Sequence, residues 1–264
     1  MRAKSVDGIS IAFQVVGGGK PALVFVHGWC CDRSYWDAQV SHFAQRHTVV
    51  SIDLAGHGES GLGREAWTME AFGEDVVAVV RELDLDQVVL VGHSMGGQVI
   101  VEAARRMPDR VIGLVGADTF GDVERRLTRE ECDKKFAGIR ANFAEATREL
   151  VRSMFTSTSD PILVERVAAD MSEAPPEIGL SAAEESQHRQ DLAKAFEEVQ
   201  VPIRCIHSDR GTINIEAARR HSSSFEAVYM REVGHFVMME DPEMFNRLLA
   251  EIVEEFVSYQ VKAA

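Results

Sequence analysis

A serine hydroxyl becomes a useful nucleophile at neutral pH only when a base takes its proton and the fold lifts it clear of the backbone. Ser94 sits in a setting of that kind. It lies in Gly92-His93-Ser94-Met95-Gly96, behind the apolar run Val88-Val89-Leu90-Val91 and ahead of the helix-favouring stretch Gly97 to Arg106. A strand, a sharp turn carrying serine and a helix is the order this pattern predicts. Glycines two residues to either side let the chain bend without a side-chain clash, which is the geometry of a nucleophile elbow.

The candidate base is His235, in Val233-Gly234-His235-Phe236, after the last strand-like run and before the C-terminal helical segment. A loop there falls at the carboxyl edge of a parallel sheet, the edge at which Ser94 emerges. An oxyanion formed by attack on a carbonyl needs two preorganised donors, usually backbone N–H groups. Met95, next after the serine, is one expected donor. The other is Trp29 in His27-Gly28-Trp29, where glycine lets the loop turn back toward the serine. Cys30 and Cys31 follow directly, so alkylation of these thiols is expected to block the pocket.

The elements that must position these groups can be read from periodicity. Runs rich in β-branched residues recur at Ile9 to Val16, Ala22 to Val26, Thr48 to Ile52, Val88 to Val91, Val111 to Val115, Ile203 to Ile206 and Ala227 to Met230. Helix-like stretches lie between most of them, which predicts an α/β fold: a mostly parallel central sheet of about eight strands with helices on both faces. Gly17-Gly18-Gly19-Lys20-Pro21 separates the first two runs and reads as a hairpin that starts the sheet antiparallel. Asp241-Pro242 opens a final amphipathic helix running to about Ser258. The rhythm breaks between Gly121 and Val199, where charged helix formers dominate. About four helices are expected there, over Glu124 to Phe136, Ile139 to Phe155 and Pro161 to Met171 among others, with a break at Ser172 to Ser181. The expected organisation is a core of residues 1–119 and 199–264 with a helical cap inserted at 120–198.

Composition narrows the classes. With 264 residues and 45% hydrophobic content the chain can bury a full core. The formal charge of −14, from 42 acidic and 28 basic residues, speaks against nucleic acid or an anionic membrane surface as a partner. Cys30, Cys31, Cys132 and Cys205 lack metal-ligand spacing and read as free thiols of a cytoplasmic protein. No metal or other cofactor is expected, and the assembly expected is a monomer or homodimer.

Four motifs in order carry a resemblance: His27-Gly28-Trp29, Asp53-Leu54-Ala55-Gly56-His57-Gly58-Glu59-Ser60, Gly92-His93-Ser94-Met95-Gly96-Gly97 and Gly234-His235-Phe236, with Asp241-Pro242 behind. Nearly the whole chain outside the cap resembles the α/β-hydrolase fold superfamily, in the compact, capped form that includes small esterases, perhydrolases and carbon–carbon hydrolases. The resemblance implies structural hydrogen bonds for His27, His57 and His93, and Ala55 stands where the second motif usually has arginine. It also implies a triad acid, and here the chain departs from the pattern: in Ile206-His207-Ser208-Asp209-Arg210-Gly211 the usual acid position holds Gly211. Two replacements are open, Asp118 at the end of the preceding strand, which is favoured, and Asp209.

Serine at the elbow is unlike the aspartate of the epoxide hydrolases and haloalkane dehalogenases of this fold. The function expected is therefore hydrolysis of a small to medium carboxylic ester through an acyl-serine, with Phe143, Met154 and Phe155 of the cap as pocket walls. The rival expectations are another hydrolysis on the same triad, namely carbon–carbon cleavage, lactone opening or perhydrolysis, or a ligand-sensing hydrolase that signals through its cap.

Overall fold

The computed structural model describes the backbone of residues 1–263 and the side chains of residues 1–260. Eight strands form one sheet: β1 (Arg2–Lys4), β2 (Ser10–Gly17), β3 (Ala22–Val26), β4 (Thr48–Ile52), β5 (Val88–His93), β6 (Val111–Ala117), β7 (Ile203–Ser208) and β8 (Glu226–Met230). Their order is β1-β2-β4-β3-β5-β6-β7-β8. The pairs β1/β2 and β2/β4 are antiparallel, and every pairing from β4 onward to β8 is parallel.

The helices are α1 (Asp37–Phe43), α2 (Met69–Glu82), α3 (Met95–Arg105), α4 (Arg129–Ala141), α5 (Phe143–Met154), α6 (Pro161–Ser172), α7 (Pro176–Glu184), α8 (Leu192–Glu198), α9 (Ile215–His221), α10 (Val237–Glu240) and α11 (Pro242–Ala263). They cover both faces of the sheet, so β3, β5, β6 and β7 are buried at every position and read as unbroken apolar runs. Alternation along a strand divides the core in two. Val24, Val26 and Leu90 join Phe72, Val99 and Ile100 of α2 and α3 on one face; Leu23, Phe25 and Val91 join Trp36, Phe43 and Phe245 on the other. Among the described residues no helix is long and apolar enough to cross a membrane.

The antiparallel start is present, but the hairpin expected between β2 and β3 is not. β4 lies between them, because the loop Gly17 to Pro21 is fastened to the entry of β4: Thr48 N–H donates to Gly19 O at 2.9 Å, and His47 Nδ1 lies 2.9 Å from Pro21 O. The loop therefore crosses the end of that strand and delivers β3 to its far side. The short edge strand β1 has too few residues to leave a periodic signal.

Between β6 and β7 the chain leaves the sheet for α4 to α8, five helices rather than the four expected, with a single π-helical turn at Glu185–Arg189. Local caps set the boundaries. Thr128 and Glu131 form a reciprocal capping box that starts α4 five residues later than the charge pattern suggested. Asn142 ends α4 and caps α5 through its side chain. Pro175-Pro176, read as a break, instead opens α7, since proline is tolerated in the first helical turn.

Candidate active site

The candidate residues converge at the edge where the parallel strands end. Ser94 follows β5 with φ 52° and ψ −117°, a positive-φ conformation that costs a non-glycine residue on the order of 1–3 kcal/mol. The surroundings hold it there. Its N–H donates to Ala117 O at 3.0 Å, and its carbonyl accepts from Gly97 N–H at 2.9 Å and from the Thr119 hydroxyl at 2.8 Å. The turn is tight enough that a Cβ on Gly92 would lie 2.3 Å from Gly96 O. The hydroxyl of Ser94 has no hydrogen-bond partner among the described residues.

His235 is placed by its own backbone. Its N–H donates to Met154 O at 2.9 Å, and its carbonyl lies 3.0 Å from Nε2 of His93, the residue before the serine. Its Nδ1 lies 2.6 Å from Oδ2 of Asp118. The imidazole thus has its Nδ1–H on the carboxylate, which leaves Nε2 as the basic nitrogen. Asp118 sits just past β6 at φ 45°, with its N–H donating to Ile206 O at 2.9 Å.

The carboxylate of Asp118 has further donors. Oδ1 accepts from Ser208 N–H at 2.8 Å and lies 2.8 Å from Nδ1 of His207. Burial alone would raise its pKa. Hydrogen bonds from His207 and His235, with the attraction of their charges, outweigh that and hold it well below the usual carboxylate range. His207 is pushed up in return: burial opposes its charge, but the Asp118 hydrogen bond and charge win.

The two candidate acids are therefore separated by the structure. Asp118 contacts His235; Asp209 is exposed, and its side chain makes no hydrogen bond among the described residues. Gly211, at the position where the resemblance implied an acid, has the His207 ring beside it: a Cβ there would lie 2.3 Å from His207 Cε1. Sequence reasoning did not single out His207, because nothing local marks a strand-end histidine as a partner of a residue on another strand.

Trp29 and Met95, the expected oxyanion donors, line the same cavity as Ser94. Gly28 lets its loop approach, since a Cβ there would stand 3.3 Å from Ser94 Cβ. The N–H groups of Trp29 and Met95 have no acceptor among the described residues. Met95 opens α3, whose unpaired N-terminal amides favour developing negative charge.

Trp29, Ser94, Met95 and Asp118 line one cavity of ≈ 950 Å³, roofed by Phe136 and Ile139 of α4 and by Leu150 and Met154 of α5. Met154 is one of the lining residues. Phe143 and Phe155 are not. Phe143 packs on Trp29, with ring centroids 6.0 Å apart, and Phe155 stacks on Phe236 at 5.0 Å. Both are buried in these aromatic contacts.

The motif histidines are structural. His27 accepts from Leu54 N–H at Nε2 (3.0 Å) and donates from Nδ1 to Gly28 O (2.8 Å); His57 Nδ1 lies 3.0 Å from Ala55 O. All four cysteines are free and buried, and burial pushes the thiols of Cys30 and Cys31 well up. Among the described residues no group of three or more His, Cys, Asp or Glu could hold a metal ion.

Comparison with known proteins agrees with this architecture. A family described as "Alpha/beta hydrolase family" matches residues 23–248. The dihydrolipoyllysine-residue acetyltransferase component of the acetoin cleaving system of Pseudomonas putida is 28% identical over 89% of this chain, which spans 64% of that protein's length. 3-Oxoadipate enol-lactonase 2 of Acinetobacter baylyi is 22% identical, with 90% of each chain covered. Among solved structures, a thermophilic esterase from Thermogutta terrifontis superposes with a TM-score of 0.83 at 25% identity, covering 97% of this chain and 98% of that one. With the sheet order, the strained serine turn and a family match over most of its length, this chain belongs to the alpha/beta hydrolase family.

Proposed function

We propose that this hydrolase cleaves small to medium carboxylic esters through an acyl-serine intermediate. Ser94 Oγ attacks the carbonyl carbon while Nε2 of His235 takes its proton. Asp118 holds the Nδ1–H and balances the imidazolium. The amides of Trp29 and Met95 donate to the oxyanion. The intermediate collapses as His235 returns the proton to the leaving alkoxide, and a water repeats the sequence to release the acid. The observation that carries this reading is the 2.6 Å contact of His235 Nδ1 with Asp118, at the sheet edge where Ser94 stands on its strained turn.

The cavity, with Phe136, Ile139, Leu150 and Met154 over the serine, suits a compact, partly apolar acyl group. Four buried free thiols fit a reducing compartment, the cytoplasm. Opening of a lactone is the second reading, favoured by the enol-lactonase relative that matches 90% of this chain. It uses the same steps with the leaving alkoxide tethered to the acyl group.

The test is hydrolysis of p-nitrophenyl esters of rising acyl length, and of a lactone panel, by the wild type and Ser94→Ala. Serine-dependent turnover with a length optimum is expected. Turnover that survives Ser94→Ala, or its absence on every ester and lactone, would sink the reading.

A further inference from the structure

Two cations, Arg125 and Lys135, line the same cavity as Ser94, and neither has a carboxylate partner among the described residues. Nζ of Lys135 donates only to a neutral amide, Gln187 Oε1, at 2.8 Å, and lies 5.6 Å from the Phe136 ring centroid. The guanidinium of Arg125 makes no hydrogen bond or ion pair among the described residues. Elsewhere on the inserted segment Arg126 pairs with Asp191, Arg140 with Glu184 and Arg152 with Glu165, while Arg148 reaches only the Ser172 hydroxyl and Arg166 has no carboxylate partner among the described residues.

Three acids in this region, Asp122, Glu131 and Asp118, already accept hydrogen bonds from other groups. Asp122, in the cavity wall, takes Glu124 N–H on one oxygen and Asn214 Nδ2 on the other, each at 3.1 Å. Glu131, one turn before Lys135, accepts Thr128 N–H at 2.7 Å in the capping box of α4. Asp118 is held by His207 and His235. Phe136, Ile139 and Leu150 line the same cavity, together with the polar Gln98, Ser186, Gln187 and Gln190.

We infer that the substrate carries a carboxylate at the end of its acyl chain, remote from the scissile carbonyl, and that Arg125 and Lys135 receive it. This rests on the serine-hydrolase reading above. A chain of net charge −14 repels anions at long range, so a carboxylate-bearing substrate requires local cations at the cavity. Arginine and lysine together suit a carboxylate, one through its planar fork and the other as a point charge. Lys135 is exposed at the cavity, and desolvation by its surroundings, together with the charge of Arg125, holds its pKa below the ordinary lysine value. An arriving carboxylate would relieve both effects.

The experiment compares p-nitrophenyl monoesters of succinic, glutaric, adipic and pimelic acids with the neutral monocarboxylic esters of matched length. The expected ratio of kcat/KM, charged over neutral, is about tenfold or more at the best length, as a partly desolvated charged hydrogen bond would give. The ratio should fall toward one in Arg125→Gln and Lys135→Gln. Lys135→Glu should shift preference toward an ester ending in an ammonium group. A wild-type ratio of one or below, or a ratio unchanged in these variants, overturns the inference while leaving the serine mechanism intact. If no ester turns over in either series, the serine reading fails on its own account. Calorimetry of adipate against hexanoate then decides: selective binding of adipate that is lost in Lys135→Gln sustains the carboxylate site, and its absence overturns it.

Discussion

Nδ1 of His207 lies 2.8 Å from Oδ1 of Asp118, on the oxygen opposite the one that faces His235. The carboxylate thereby lies between two imidazoles and accepts from Ser208 N–H, while Nδ1 of His207 is shared with Ser208 O, also 2.8 Å away. A carboxylate held by these contacts stays beside His235 at the end of β6.

Asp118→Asn should fold as the wild type and lose about three to four orders of magnitude in kcat, because the amide sets the wrong imidazole tautomer. Asp209→Asn should stay within about twofold, as expected of an exposed surface change. Ester turnover of the two purified variants checks this, and the reverse ranking would move the acid to β7.

His207→Leu removes one donor from Asp118 and should lower kcat about tenfold with little change in KM, in the range seen for groups that orient a catalytic partner. His207→Asn, whose side-chain N–H can still reach the carboxylate, should recover most of the loss. Equal damage in both variants would show that the ring only fills the space beside Gly211.

Three buried histidines set the acid limit of stability. Burial is the main cause that pulls His27 down to about 4, and His57 and His93 down to about 3, from an ordinary 6.5. As pH falls below 6.5 the unfolded chain binds these protons first, so the stability is whole above that value and lost as pH falls toward the folded values. Between about pH 5.5 and 4.5 the three together imply a slope of roughly 4 kcal/mol per pH unit. His207 shifts the other way; its contribution is present below 6.5 and lost as pH rises through its folded value, outside this window. Urea midpoints should therefore drop steeply between pH 6 and 5, and a flat profile would contradict the neutral, buried state of these rings.

Iodoacetamide should leave activity intact in the native state. Cys30 and Cys31 follow Trp29 in sequence, which suggested that alkylation would block the pocket, but both thiols are buried and their pKa values are raised. Only the thiolate reacts, so labelling should require denaturant. Rapid inactivation of native protein would contradict this burial.

The sequence made legible what is encoded locally. The strand before Ser94, its glycines and the helix after it form one contiguous signal, and His235 lies in another. The acid was harder to read because its identity depends on a neighbour: β6 and β7 must pair before Asp118 N–H can reach Ile206 O and before His207 can meet the carboxylate. The position of β4 between β2 and β3 was hidden for the same reason, being set by hydrogen bonds from His47 and Thr48 to a distant loop. The pocket wall was half legible. Helical spacing marked Met154, Phe143 and Phe155 alike as apolar, and only the docking of α5 on the body decides which of them faces the cavity.

Trp29 works at two levels of the site. Its backbone N–H stands beside Ser94, while its indole Nε1–H donates to Gly179 O of α7 at 2.7 Å. Displacing α7 would tug on the same residue that is assigned to stabilise the oxyanion, so α7 is tied to the site through that bond. Asp122, Thr212 and Asn214 line the cavity and are exposed, as are Arg125 and Lys135, so a rim open at these residues would serve as the entrance. A doorway on one side only would make entry directional, with the charged end of a substrate trailing at the threshold while its carbonyl goes in first.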